Sequence, residues 1–113
     1  MTEGRWIATT ELVAVFPDGT RSRGAIRVAA PEPVDDVEAR CTYSVEPLGA
    51  TKTIHGADSL QALVLAIRMC AIELALFEKR GGHFEHPPPD GAESGEAWDG
   101  SAIFGSYLAL PSN

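Results

Sequence analysis

The segment from Asp58 to Gly82 constrains the fold more than any other part of the chain. Asp58-Ser59-Leu60-Gln61 has the form of a capping box, in which the cap carboxylate accepts from an early backbone N–H and the residue three later reaches back. Asp58 and Gln61 are thus the expected helix cap. At the far end, Lys79-Arg80 suits the negative pole of the helix dipole, and Gly81-Gly82 offers the left-handed backbone on which helices end. One long helix from Asp58 to Lys79 is expected.

At 100° per residue, Leu60, Leu63, Val64, Ile67, Cys70, Ala71 and Leu74 fall on one broad apolar face, the expected core contact. A second stripe, Leu65, Met69, Ile72 and Leu76, lies nearly opposite with Arg68 along its edge. Its steps of four, three and four residues match the seam of a helix pair. Leaving such groups in water would forgo roughly 1.5 to 3 kcal/mol each. A cover is therefore expected, either the same helix of a second subunit in a homodimer or the C-terminal Ile103–Leu110 segment.

Ahead of the helix the chain reads as strands. Arg5 to Phe16 is rich in Thr, Val and Ile and stops at Pro17-Asp18-Gly19-Thr20, a hairpin signal. The returning strand, Arg21 to Ala29, sets Arg21, Arg23, Ala25 and Arg27 on one face and Ser22, Gly24, Ile26 and Val28 on the other. Pro31-Glu32-Pro33 is expected to break pairing, because proline has no donor for the ladder. Val37, Ala39, Cys41, Tyr43 and Val45 then alternate with polar residues, as a sheet with one wet face requires. Pro47-Leu48-Gly49 reads as a turn and Thr51 to His55 as a short fourth strand. The fold class is α+β: an antiparallel sheet of about four strands, in ββββα order, packed on one long helix. Residues 83–100, with Pro87-Pro88-Pro89, read as an irregular loop, followed by a docked C-terminal segment.

A length of 113 residues suits a single domain spanning 1–113. The 16 acidic against 9 basic side chains leave a net charge of -7, a field that repels polyanions, so nucleic acid is not an expected partner. Two cysteines, Cys41 and Cys70, are too few for a disulfide scaffold or zinc framework and read as core thiols. Neither a leader nor a membrane span is read, and a cytoplasmic location is expected.

Two clusters have site chemistry. His83, Glu85 and His86, with Asp90 behind them and His55 a possible neighbour, are metal-ligand and acid–base types. Nothing in a glycine- and proline-flanked loop fixes the rings, so a solvated loop is the expectation and no metal or cofactor is assigned. Arg21, Arg23 and Arg27 form a possible partner-binding face for an acidic protein patch, with Trp6 near as a stacking surface. A solvated strand face is the plain alternative. No nucleophile motif and no Gly-rich phosphate loop occurs, so no catalytic residue is assigned.

Gly56-Ala57-Asp58-Ser59-Leu60-Gln61-Ala62-Leu63, entered from a short strand and continued by Leu65-Ala66-Ile67-Arg68, resembles a group of small bacterial proteins known only as a domain of unknown function. The likeness is strongest over Thr51 to Gly82. It implies structural roles: Gly56 for the strand-to-helix turn, Asp58 and Gln61 for the cap, the leucines for packing. It also implies an adaptor or immunity-like role, since members of such families are thought to sit near toxin or secretion genes. The functional expectation is a non-enzymatic protein-interaction protein. The alternative is a small-molecule binder or enzyme with a pocket between sheet, helix and C-terminal segment.

Overall fold

The alternating apolar residues ahead of the helix do pair into a sheet, and the computed structural model describes it through residues 6–49, 51–88 and 95–98. The elements are β1 (Trp6–Val15), β2 (Arg21–Ala29), β3 (Glu32–Asp35), β4 (Glu38–Glu46), β5 (Lys52–Gly56), α1 (Ser59–Lys79) and β6 (His83–Glu85). β1 and β2 form the expected hairpin, with Gly19 at φ 89° in its turn. β2 and then β3 pair with β4, while β5 pairs with β4 across residues that also face β3. β3 and β5 therefore lie on opposite sides of β4. Across the sheet the order is β5, β4, then β2 continued by β3, then β1 and β6, every pair antiparallel.

Among the described residues, six strands replace the expected four. The first addition is β3: Pro33 cannot donate, yet the stretch still pairs with Arg40 and Ala39 through a shift in register, as an edge strand tolerates. The second is β6, in the segment read as irregular loop. His83, Phe84 and Glu85 pair with Val15, Ala14 and Val13, and the main chain returns at Ala97 to bridge Glu85. Burial of Phe84 and Trp98 against each other anchors this edge, their ring centroids 5.8 Å apart. Asp90 and the C-terminal Ile103–Leu110 segment lie outside the described residues.

The helix forms where expected and packs on the sheet, chiefly over β4 and β5. Its inward face is turned toward the second stripe. Ala62, Ala66, Cys70, Ala71 and Leu74 are buried, whereas Leu60 and Val64, expected in the core, are 69% and 41% exposed. Leu63, Ile67 and Met69 pack at the margins of the core. By length and composition alone α1 could cross a membrane. Here its small residues lie against Ala39, Cys41, Tyr43 and Val45 of β4 in one core.

Candidate functional site

At the end of the sheet nearer the C-terminus of β1, Phe16, Phe77, Phe84 and Trp98 close the space between sheet and helix in successive ring contacts. At the other end the described residues leave the space open. Because α1 sits over β4 and β5, the inner face of β1 and β2 there is bounded by the helix on one side only. The result is an apolar groove of about 510 Å³. Its floor is made of the cross-strand pairs Ala8–Val28 and Thr10–Ile26, and its wall of Leu63 and Ile67. Ile7, 53% exposed, stands at its lip. Leu60 and Val64 adjoin Leu63 and Ile67 at helical spacing, so the apolar wall continues onto the exposed flank of α1.

On β1, β6 pairs only with Val13, Ala14 and Val15. From Ile7 to Leu12 the outer edge of β1 has no strand partner among the described residues. An open strand edge offers backbone donors and acceptors in a row, which an added extended segment can satisfy. Apolar walls beside such an edge favour an apolar occupant. Among the described residues, the only side-chain polar groups lining the groove are the hydroxyls of Thr9 and Thr10, so that part of the lining holds no acid, base or nucleophile of the usual kinds.

The histidine cluster is divided by the topology. His55 lies on β5 and pairs with Glu38, while His83 and Glu85 lie on β6 at the opposite edge of the sheet, 3.5 Å apart. His86 is exposed, and its backbone N–H donates to the carbonyl of Glu96. Among the described residues no three ligand-type side chains gather where they could hold a metal.

Arg21, Arg23 and Arg27 do share the outer face of the sheet, but each meets a carboxylate of its own chain. Arg21 donates to both oxygens of Glu85, at 2.8 and 2.7 Å. β1 lies between β2 and β6, so this pair must cross β1. It lies above Val13 and Val15, which are buried on what the alternation marked as a wet face. Arg27 pairs with Glu46 at 3.1 Å, diagonally across Ala25 and Ser44, both buried, and Arg23 pairs with Glu11 at 3.8 Å. Hydrogen bonding from Arg21 holds the Glu85 carboxyl below its ordinary value. The arginines act first as straps over small side chains, and a partner would have to compete with these pairs. Trp6 is 37% exposed at the start of β1.

A cluster that sequence reasoning missed sits beneath the helix. The Tyr43 hydroxyl donates to Glu73 at 3.0 Å and Lys52 Nζ donates to the same carboxylate oxygen at 3.1 Å, joining β4, β5 and α1. Burial first, then the neighbouring carboxylate, pushes the Tyr43 phenol well up. Tyr43 on the inward face of a strand was the available signal, since a buried phenol needs a partner. Cys70 lies beside this cluster, and burial pushes its thiol up to about 12. Cys41 donates to the Ala29 carbonyl at 3.3 Å and is likewise raised by burial. Both are the core thiols expected, since a reactive thiol needs a lowered value.

Among the described residues, fold and groove together define an α+β arrangement of one helix that partly roofs an antiparallel sheet and leaves an apolar end open. The chain belongs to the family described as a domain of unknown function, DUF6968, matched over residues 12–91. That span takes in the later part of β1, β2 to β5, α1 and β6. No curated protein and no solved structure matches the chain.

Proposed function

We propose that this is a non-enzymatic protein-interaction protein, adaptor or immunity-like, whose contact surface is the groove between β1, β2 and α1 with its rim of Ile7, Leu60 and Val64. The observation that carries this reading is the conjunction of apolar walls with a stretch of strand edge that is unpaired among the described residues. Apolar area removed from water contributes about 25 cal/mol per Å², and the edge sets the direction of an extended segment laid along it. The net charge of -7 suits a basic partner approaching in the cytoplasm. Self-association through the helix belongs to the same proposal. α1 is apolar around most of its circumference, and Leu65, Met69, Ile72 and Leu76 remain half-buried, with Arg68 exposed beside them. Sedimentation of the full chain tests this part, and a species of 12.0 kDa at every concentration removes it.

A second reading takes the groove as a site for an apolar small molecule, because its volume falls within the range of ligand pockets. Partner capture from the native host separates the two. The protein reading expects Ile7→Asp with Val64→Asp to lose a bound protein that Arg23→Gln retains. Native mass spectrometry of the purified chain showing a low-mass adduct, with protein partners indifferent to the groove substitutions, would replace the first reading by the second.

A further inference from the structure

We propose that two copies of this chain join edge to edge through β5, which continues the sheet across a two-fold axis and sets the two α1 helices side by side and antiparallel. The inference rests on the self-association proposed above and names its geometry. β5 is the outer strand on its side of the sheet, and among the described residues only β4 pairs with it, in unbroken register from Lys52 to Gly56. A straight edge of this kind is a template for another strand unless charge, proline or a bulge blunts it. β3 carries a proline and a register shift, and β5 carries neither. The lysine of β5, Lys52, is drawn onto the Glu73 carboxylate at 3.1 Å. Ile54 pairs with Cys41 and packs on the core, so it faces the helix. Centred there, an antiparallel copy sets Ile54 against its counterpart, Lys52 against Gly56 and Thr53 against His55, and no like charges meet.

The helix supplies the other half of the interface. α1 lies chiefly over β4 and β5. With strands about 4.8 Å apart, joining two β5 edges sets the helix axes about two strand spacings, or about 10 Å, apart, a distance at which helices pack. The flank that then faces the second copy carries Glu73, bound to Lys52 of β5, and Leu76 beside the same lysine, while the groove lies on the other flank. Continued both ways, the steps of the Leu65, Met69, Ile72 and Leu76 stripe run unbroken from Asp58 through Ala62 to Lys79, alternately four and three. This seam is acidic at one end and basic at the other, where Arg80 follows Lys79, and all three charged residues are exposed. Antiparallel pairing sets each acidic end beside a basic one, Leu65 against Ile72 of the second copy and Met69 against its counterpart. Strand and seam agree on where the axis falls. Gly56 lies against Ala62 and Lys52 reaches Glu73, so the middle of β5 is level with the step from Ile67 to Arg68. The middle of the seam lies between Arg68 and Met69, about 1.5 Å further along the helix. Arg68 is exposed on the side of α1 away from the sheet and keeps its charge in water.

Sedimentation of the unaltered full chain, with isotope-filtered NMR of an equal mixture of labelled and unlabelled chain, tests the arrangement. A species of twice 12.0 kDa is expected, with contacts between chains at Ile54 with Ile54 and at Leu65 with Ile72. A dimer whose contacts lie on β1, or on α1 with none at β5, overturns the edge-to-edge arrangement and leaves self-association standing. A species of 12.0 kDa at every concentration removes self-association and this inference with it. The seam ends are tested by the Lys79→Glu, Arg80→Glu variant. Its dimer Kd is expected to rise several-fold at low salt and by less as salt screens the charges, whereas Arg23→Gln, on the outer face of the sheet, leaves the Kd unchanged. A Kd indifferent to the charge reversal overturns the antiparallel pairing of the helices.

Discussion

Glu73 shows how much one side chain can carry in this fold. Its carboxylate accepts from both Tyr43 and Lys52, so the cost of removing it depends on which partner is stranded. Tyr43→Phe leaves Glu73 satisfied by Lys52 and is expected to cost about 1 kcal/mol. Glu73→Ala strands the phenol and is expected to cost about 1 to 3 kcal/mol. Urea unfolding of both variants decides the order, and equal losses would remove the network. The Arg21–Glu85 strap makes a pH prediction. A carboxyl held below its ordinary value of 4.5 stabilises the fold fully above that value, and the contribution fades as pH falls through the lowered one. The stability difference between the native chain and Arg21→Gln is therefore expected to be constant near neutrality and to vanish in acid. A difference that persists in strong acid would assign the effect to packing of the arginine stem. Ser44 adds a third test: its buried hydroxyl has no hydrogen-bond partner among the described residues, so Ser44→Ala is expected to hold or raise the melting temperature.

At the scale of elements, the helix ends are built as the sequence implied. The Asp58 carboxylate accepts from the Gln61 N–H at 2.8 Å, and the Gln61 side chain accepts from the Ala57 N–H at 2.6 Å. Asp58→Ala is expected to lower stability by about 1 kcal/mol in thermal or urea unfolding. Gly81 takes φ 100° past the helix end. Gly56 matters for a different reason from the sharp turn expected of it: a Cβ there would come within 2.6 Å of the Ala62 nitrogen, so it allows the end of β5 to touch the helix. Helical spacing misplaces the inward face because it weights large residues over small ones. Ala62 and Ala66 let α1 approach the sheet closely, and that approach turns Leu60 and Val64 outward. Ala66→Leu should therefore cost about 1 to 3 kcal/mol by overpacking, whereas Leu60→Gln should stay within about 0.5 kcal/mol. The opposite order would restore the face centred on Leu60 and Val64.

For the whole molecule, what the sequence determined is what local rules reach: the α+β class, the first hairpin, the alternation of β4 and the limits of α1 all come from periodicity, turn dipeptides and caps whose parts lie within a few residues of one another. Tertiary structure decided the rest. Phe84 becomes a strand residue because the edge of β1 and the ring of Trp98 are there to receive it. The arginines become straps because Glu85, distant from Arg21 in sequence, arrives on the far side of β1. The groove exists because one helix cannot cover five strand columns, and which columns it leaves bare depends on where its smallest side chains let it settle. Each of these rests on contacts between residues far apart along the chain, whose geometry is set by packing and carries no local signal.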